Sequence, residues 1–337
     1  MQKRDCVRQA VLHKSTEYVP YNIELTRDVE EKIEQLLSLN KGEFPAWAGN
    51  HIDKCSLEFG RTIRPGFYED EFGVVWDRSG LDKDIGIIAE YRMKEPAFGD
   101  YSLPMADISL INAKCDAFFK TQRDTFCFAK IGMTLFERAW SLRGFENFFI
   151  DLMEEEEFAH SLLDAITERN LKILDCALAY DFDGVYFGDD YGQQTGLLMS
   201  PGTWRKFIKP QLKKLFERIK ASGKSICLHS CGKIDALLGD LIEIGLDIYQ
   251  TVQPEIYDLQ VLKKEYGRDL TFYGAISTQR DLPFKKPSEI QAIVRETMAI
   301  LGDGGGYIAA PTHRITADVP LENLIALAEA FREQRGA

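Results

Sequence analysis

The chain has 337 residues, 45% of them hydrophobic and 28% charged, which is typical of a globular protein whose core needs no disulfide bonds. Its net charge of −12 argues against nucleic-acid partners and anionic membrane surfaces, because both repel an acidic protein. No apolar run approaches the roughly 20 residues that span a bilayer, and the charged residues 1–5 resemble no signal peptide. Seven scattered cysteines are typical of reduced thiols, so we expect a cytoplasmic protein.

Apolar segments rich in β-forming residues alternate along the chain with amphipathic helical patterns. We predict strands at 44–49, 126–133, 184–188, 225–229, 248–252, 270–276 and 307–310. Helices are predicted at 157–180, 203–222, 233–244, 259–266, 287–301 and 320–333. This order indicates an α/β protein, and an eighth strand within 74–110 would complete a (β/α)8 TIM barrel as one domain, residues 1–337. A doubly wound open sheet is the alternative, although no strand is followed by the G-x-G-x-x-G turn that binds dinucleotides.

Metal-binding side chains follow the predicted strands, at the end where the active sites of such barrels lie. His229 and Cys231 lie at the end of 225–229, and strand alternation places them on one face. Imidazole and thiolate both bind zinc, and a single further ligand would leave the open position of a catalytic site. Glu255 and His313 are the candidates for that ligand, and His313 could instead donate a proton. A buried thiol beside a hydrogen-bonded histidine is the alternative interpretation.

A polar cluster follows the strand at 184–188. We interpret Asp189 as a catalytic acid or as the orienting partner of a metal-bound histidine. Asp190, Tyr191 and Gln193 are predicted to bind substrate. Helix capping and loop solvation are the alternatives for these acids.

Two further positions complete the predicted pocket. His51 follows the strand predicted at 44–49 and would line the substrate site, unless it only satisfies the local backbone. Arg138 follows the strand at 126–133 and could hold a carboxylate or another anion, or lie in a surface network of glutamate and arginine.

Several of these segments together resemble the uroporphyrinogen decarboxylase superfamily. They are FERAWSLRG at 136–144, GDDYG at 188–192, HSCG at 229–232, YGAI at 273–276 and PTHRITADVP at 311–320. The true decarboxylases of that family carry an arginine-rich RQAGRY motif after the first strand, where this chain has AGNHID at 48–53. A porphyrinogen with many carboxylates would be poorly held without those guanidinium groups, so decarboxylation is disfavoured.

The resemblance implies instead the corrinoid-linked methyltransferase branch, which binds zinc through His-x-Cys and a distant cysteine. No cysteine follows Cys231, which favours the methyl-donor side of that chemistry, as in the O-demethylases. We therefore expect a zinc-dependent methyltransferase that acts on a small methylated compound, with methoxy donors foremost. The chain has no Asp-x-His-x-x-Gly motif, so a partner protein is expected to supply the corrinoid. A decarboxylase and a methylcorrinoid:thiol methyltransferase are the alternatives, and homodimers are the common assembly.

Overall fold

A computed structural model describes residues 1–80, 84 and 86–334 of the chain. Its helices are α1 Lys3–Val11, α2 Arg27–Leu36, α3 Phe44–Ala48, α4 Ile108–Phe119, α5 Phe136–Arg143, α6 Phe145–Glu154, α7 Glu156–Ala177, α8 Pro201–Phe207, α9 Lys209–Lys220, α10 Asp235–Glu243, α11 Leu259–Tyr266, α12 Pro287–Leu301 and α13 Leu321–Glu333. Its strands are β1 Ile52–Ser56, β2 Gly60–Arg64, β3 Phe67–Asp70, β4 Val75–Asp77, β5 Ile87–Glu90, β6 Phe126–Ile131, β7 Gly184–Gly188, β8 Gly192–Gln193, β9 Gly196–Leu197, β10 Ser225–His229, β11 Ile248–Val252, β12 Thr271–Ile276 and β13 Tyr307–Pro311.

The fold is α/β and is organised around a parallel sheet of seven strands in the order β1-β6-β7-β10-β11-β12-β13. The order of the strands across the sheet is the same as their order along the chain, and helices lie between successive strands. This is the arrangement of a TIM-like barrel. The strands predicted from residue 126 onward are confirmed within one or two residues. The helix predicted at 203–222 is divided into α8 and α9, with Pro210 in the first turn of α9.

The first predicted strand is wrong, because residues 44–48 form the short helix α3 and the sheet begins at Ile52. Pro45 lies in the first turn of α3, and Gly49 ends the helix in the left-handed conformation with φ of +80°. Those two residue types are typical of a helix start and a helix end. Asn50 and His51 consequently precede a strand of the sheet instead of following one.

The predicted eighth strand within 74–110 is also wrong, because β4 and β5 belong to a separate antiparallel sheet in the order β2-β3-β4-β5. Within the described part of the chain, the seven-stranded sheet has no eighth strand. An extended segment, residues 20–25, lies instead between β13 and the start of β1. Tyr21 and Leu25 form isolated parallel bridges with Ala309 and Ile315, and the His51 amide donates to the Tyr21 carbonyl at 3.1 Å.

Side chains inside the parallel sheet change character from one end to the other. A cluster of buried apolar residues fills the end where the strands begin, and it includes Ile52, Phe126, Phe128, Ile248 and Ile308. One or two residues further along the same strands, the inward positions become polar and open into a cleft. This period-two alternation on each strand therefore places the polar groups at the carboxyl ends of the strands. Among the described helices, none has the length and apolar composition required to cross a membrane.

Candidate metal centre and cleft

His229, Cys231 and Asp190 form the cluster at the carboxyl ends of β7 and β10. The His229 Nε2 atom lies 3.5 Å from both the Cys231 Sγ atom and an Asp190 carboxylate oxygen. One ligand atom from each of these three residues lies within 4.8 Å of the other two, and among the described residues this is the group that could hold a metal ion. Tetrahedral zinc bonds of about 2.0 to 2.3 Å place the ligand atoms roughly 3.4 to 3.6 Å apart, so this set matches zinc in spacing and in chemistry.

Gln250 fixes which nitrogen of His229 faces this cluster. The Gln250 Oε1 atom accepts hydrogen bonds from the His229 Nδ1 atom and, at 2.8 Å, from the Tyr186 hydroxyl group. With its Nδ1 atom donating to Gln250, the imidazole turns the lone pair of Nε2 toward Cys231 and Asp190. Metal-binding histidines are commonly oriented by such an acceptor. Gln250 was not predicted, because its partner His229 lies on the neighbouring strand and not nearby in the sequence.

The loop that carries Cys231 is shaped by Asp190 and Gly232. An Asp190 carboxylate oxygen accepts a hydrogen bond from the Cys231 backbone amide at 2.7 Å, which ties the two loops together. Gly232 has φ of +81°, and a Cβ atom there would lie 2.2 Å from the Gly192 backbone carbon. Glycine is therefore required at this position by conformation and by the close approach of the two backbones. Burial, followed by the negative charge of Asp190, raises the pKa of the Cys231 thiol well above its usual range.

Asp189 does not face the cluster or the cleft. Its carboxylate is fully buried and accepts hydrogen bonds from the backbone amides of Phe136 and Glu137, at 3.0 and 2.7 Å, and from the Tyr191 hydroxyl group at 2.7 Å. Burial raises the pKa of Asp189 to about 6, although these hydrogen bonds favour the charged form. Asp189 thus caps the first turn of α5, which was the alternative interpretation. Its predicted catalytic role would have to act through Glu137 or Asp190.

The two candidates for the third ligand lie outside the cluster. The Glu255 side chain accepts a hydrogen bond from the Ser277 hydroxyl group, and its second oxygen is buried without a partner among the described residues. The His313 ring lies 6.1 Å from the His229 ring, centroid to centroid, and faces the cleft. Desolvation by the cleft walls, followed by the charges of His229 and Arg314, lowers the pKa of His313. Asp190, which we predicted to bind substrate, takes the third position in this geometry.

A cleft of about 630 Å³ opens beside the cluster and is lined by His229, Asp190 and His313. The antiparallel sheet forms one of its walls with Tyr68 and Trp76. Two carboxylate–guanidinium pairs anchor that wall to the helices, namely Asp70 with Arg138 at 2.7 Å and Glu71 with Arg169. Arg138 is thus buried in an ion pair at the edge of the cleft and is not a solvated surface residue.

Glu137 is a cleft residue that the sequence did not single out. Its carboxyl group lies beside Asp190 and Asp189, and burial, together with their negative charges, raises its pKa well above the usual range. Glu137 lies on α5, which follows β6, and Asp190 follows the neighbouring strand β7. The pairing of these two strands in the sheet brings the two residues together. A raised pKa favours the protonated form of this carboxyl group, and the protonated form can donate a hydrogen bond to a ligand in the cleft.

The remaining predicted substrate residues lie away from the cleft lining. Tyr191 is fully buried beneath Asp189, and Gln193 is exposed in the β8–β9 hairpin, where its carbonyl accepts from the Lys233 amide. His51 is fully buried at the amino end of β1, with its Nδ1 atom 3.1 Å from the Tyr21 carbonyl. His51 therefore lies at the end of the sheet opposite the cluster. The prediction had placed it after a strand at 44–49, but those residues form α3 and the strand begins after His51.

These features are those of a barrel-like α/β fold with a candidate metal site at the carboxyl ends of its strands. The profile of the uroporphyrinogen decarboxylase (URO-D) family matches residues 127–334, well over half of the chain, and this chain belongs to that family. The matched part contains the three residues of the cluster, Gln250 and the cleft residues Glu137 and His313.

The individual relatives include a methyltransferase and a decarboxylase. The chain is 31% identical over 183 residues to the methylcobamide:CoM methyltransferase MtaA of Methanosarcina barkeri, covering 54% of this chain and 50% of that protein. It is 27% identical over 187 residues to the uroporphyrinogen decarboxylase of Thermus thermophilus, covering 53% and 50%. The chain thus spans about half the length of the curated relatives it matches. A methyltransferase structure from Methanosarcina mazei superposes with a TM-score of 0.75 at 16% identity over 99% of both chains, which shows a shared fold.

Proposed function

We propose that this protein is a zinc-dependent methyltransferase that moves a methyl group from a small methylated compound, with methoxy compounds foremost, to the cobalt of a separate corrinoid protein. The observation that carries the proposal is the His229–Cys231–Asp190 set, whose spacing suits zinc and which borders an open cleft. Three protein ligands leave the fourth zinc position for substrate, as catalytic sites require. The similarity to MtaA, named as a methylcobamide:CoM methyltransferase, supports corrinoid chemistry at the level of the family.

Each residue of the site has a defined part in this proposal. Zinc bound there would supply Lewis-acid polarisation of the ether oxygen. The carboxylate of Asp190 and the thiolate of Cys231 would neutralise the charge of the cation, and Gln250 would hold the His229 ring in place. As the C–O bond breaks, its electron pair would stay on the oxygen, and the methyl group would pass to the reduced corrinoid, which supplies the electron pair of the new bond. His313, in its protonated form, would donate a proton to that oxygen.

The metal content of the purified protein tests the first part of this proposal. Elemental mass spectrometry is expected to find about one zinc per chain, and Cys231→Ser is expected to lose most of it. Cys176→Ser is the matched control, because Cys176 is a half-buried thiol on α7, outside the cluster. Absence of zinc in the unmodified protein after reconstitution would refute the metal site.

The methyl transfer itself is tested with reduced cobalamin and a panel of methyl ethers, followed by the absorbance of methylcobalamin. Formation of methylcobalamin that depends on zinc and on Cys231 would support the proposal. Catalysis that survives chelation, with carbon dioxide as a product, would replace it with the decarboxylase alternative.

A methylcorrinoid:thiol methyltransferase is the second candidate, and the name of the MtaA relatives, methylcobamide:CoM methyltransferase, favours it. In that reaction the open zinc position would bind the acceptor thiol as a thiolate. Demethylation of methylcobalamin by a thiol, without any activity on ethers, would assign the protein to this second reaction.

A further inference from the structure

The cleft has a basic region on the side away from the metal cluster. Lys54 on β1, Lys130 on β6 and Arg314 after β13 all line it. Lys54 and Lys130 occupy inward positions of adjacent parallel strands, two residues apart in register because Ser56 is paired with Lys130. Their mutual repulsion is part of what lowers the pKa of Lys130, after the larger effect of desolvation.

Two carboxylates, Glu24 and Asp84, pair with Lys54 and Arg314 of this basic region. Glu24 accepts a hydrogen bond from the Lys54 ammonium and lies 4.0 Å from the Arg314 guanidinium. Arg314 also lies 3.4 Å from Asp84. Burial alone would raise the pKa of Glu24, but the charge and hydrogen bond of Lys54, followed by the charges of Arg314 and Lys130, lower it to about 2. Lys54 and Arg314 are therefore largely satisfied by protein groups.

Lys130 differs from its two neighbours. Its ammonium group makes no hydrogen bond to a described residue, and its single described ion pair is with Glu58 at 4.0 Å, beyond hydrogen-bonding distance. The side chain is 25% exposed, and it opens into the cleft. A lysine ammonium has three donors, and a largely desolvated one without acceptors is stabilised by an anion that supplies them. Among the described residues, this cation of the cleft therefore has no hydrogen-bonded partner.

The side chains between the basic region and the metal cluster limit the kind of ligand that could contact both. The Tyr186 ring lies between the two sites, 4.1 Å from the Lys54 ammonium and 6.4 Å from the centroid of the His229 ring. Aromatic side chains, Tyr68 and Trp76, line the opposite wall. The part of the cleft between the basic region and the cluster therefore has aromatic side chains among its lining residues.

We infer that the methyl donor carries a carboxylate, which Lys130 binds while the methyl-bearing end of the same molecule reaches the His229–Cys231–Asp190 set. The inference rests on the proposed function and narrows its substrate class. Donors with a carboxylate and a flat or short apolar body bind, neutral donors of the same shape bind more weakly, and cationic methylammonium donors are repelled by the basic region.

Three probes of one shape test this inference, namely 4-methoxybenzoate, 4-methoxybenzyl alcohol and 4-methoxybenzylammonium. Binding to the zinc-loaded chain is measured by calorimetry. We expect the carboxylate to bind at least about tenfold more tightly than the alcohol, with the ammonium weakest. Methoxyacetate and 2-methoxyethanol repeat the comparison without a ring, so that a poor fit of the ring does not decide the outcome.

Substitution of the lysine separates charge from shape. Lys130→Met keeps most of the length of the side chain and removes its charge, so the preference for the carboxylate is expected to disappear, whereas Lys130→Arg is expected to retain most of it. Lys213→Met on the outer face of α9 is the control, with a lysine that is 59% exposed, and should leave the preference unchanged. Equal affinity of carboxylate and alcohol in the unmodified protein, no binding of either carboxylate, or an unchanged preference in Lys130→Met would overturn the inference.

The failure of the inference can be told apart from a failure of the proposed function. Benzoate without a methoxy group is expected to bind through Lys130 even if no methyl transfer is detected. In that case the ligand class would stand and the reaction would need revision. Methyl transfer from neutral ethers alone, with no binding of carboxylates, would support the proposed reaction and refute the carboxylate-bearing donor.

Discussion

Replacement of Gln250 by leucine is the sharpest test of how this metal site is built. The substitution removes the acceptor of two buried donors, the His229 Nδ1 atom and the Tyr186 hydroxyl group. Loss of such an orienting partner commonly weakens metal binding 10- to 100-fold, so we expect the dissociation constant for zinc to rise by that factor. Because buried donors without acceptors cost about 1–3 kcal/mol, the free energy of unfolding of the metal-free protein should fall by about 2 kcal/mol.

Zinc affinity is measured by competition with a chromogenic chelator, and stability by urea unfolding of metal-free protein. Gln250→Glu is the matched control, because it keeps an acceptor for both donors and is expected to retain or increase zinc affinity. Unchanged zinc affinity in Gln250→Leu would show that Gln250 does not orient His229, and the tautomer assigned above would then be wrong.

Three other substitutions test separate parts of the structure. Gly232→Ala should abolish most zinc binding, since its Cβ atom would meet backbone at 2.2 Å, while Gly239→Ala in α10, where nothing lies within 4 Å, should be neutral or stabilising in the same zinc titration. Asp151→Asn should lower the free energy of unfolding in urea by about 3 kcal/mol, because it leaves the buried Arg143 without its counter-ion. Glu24→Gln should destabilise the protein at pH 6 and progressively less as the pH falls from about 4.5 toward 2, because a carboxyl whose pKa is depressed by folding loses its contribution as it becomes protonated. An Asp151→Asn protein as stable as the parent, or a Glu24→Gln effect that does not depend on pH, would contradict these expectations.

The six parallel strands from Phe126 onward could be predicted from the sequence, because each is a short, largely apolar run followed by a helix. The seventh, β1, could not, because its sequence IDKCS is mixed in polarity and the strand is followed by the antiparallel sheet. The four strands of the antiparallel sheet could not. Apart from Val75 and Trp76, their residues are exposed or half-buried on both faces, so they show no alternation of apolar and polar residues. The run at 44–49 was misleading for a different reason. Five residues are too few for helical periodicity to show, although Pro45 and Gly49 carried the signals of a helix start and end.

Only those residues of the site that lie at the end of the same strand could be predicted to lie together. His229 and Cys231 could be paired because two residues on one strand share a face. The choice of the third member could not be made, since the sequence does not show which of two adjacent acids turns toward a neighbouring strand end. Asp189 and Asp190 point in different directions, one toward the start of α5 and the other toward the cluster.

The contact between the extended segment at 20–25 and β13 has a consequence for how this protein is made. The bridges of Tyr21 with Ala309 and of Leu25 with Ile315 join positions almost at opposite ends of the printed sequence. During synthesis the segment can meet the residues before β1 early, but its bridges to Ala309 and Ile315 cannot form until those residues have left the ribosome. Contacts of such long sequence separation form slowly, because the entropy of closing the loop opposes them. For that interval, the edges of the growing sheet offer unpaired backbone groups to other chains, which makes this seam the point where chaperones would protect the nascent protein.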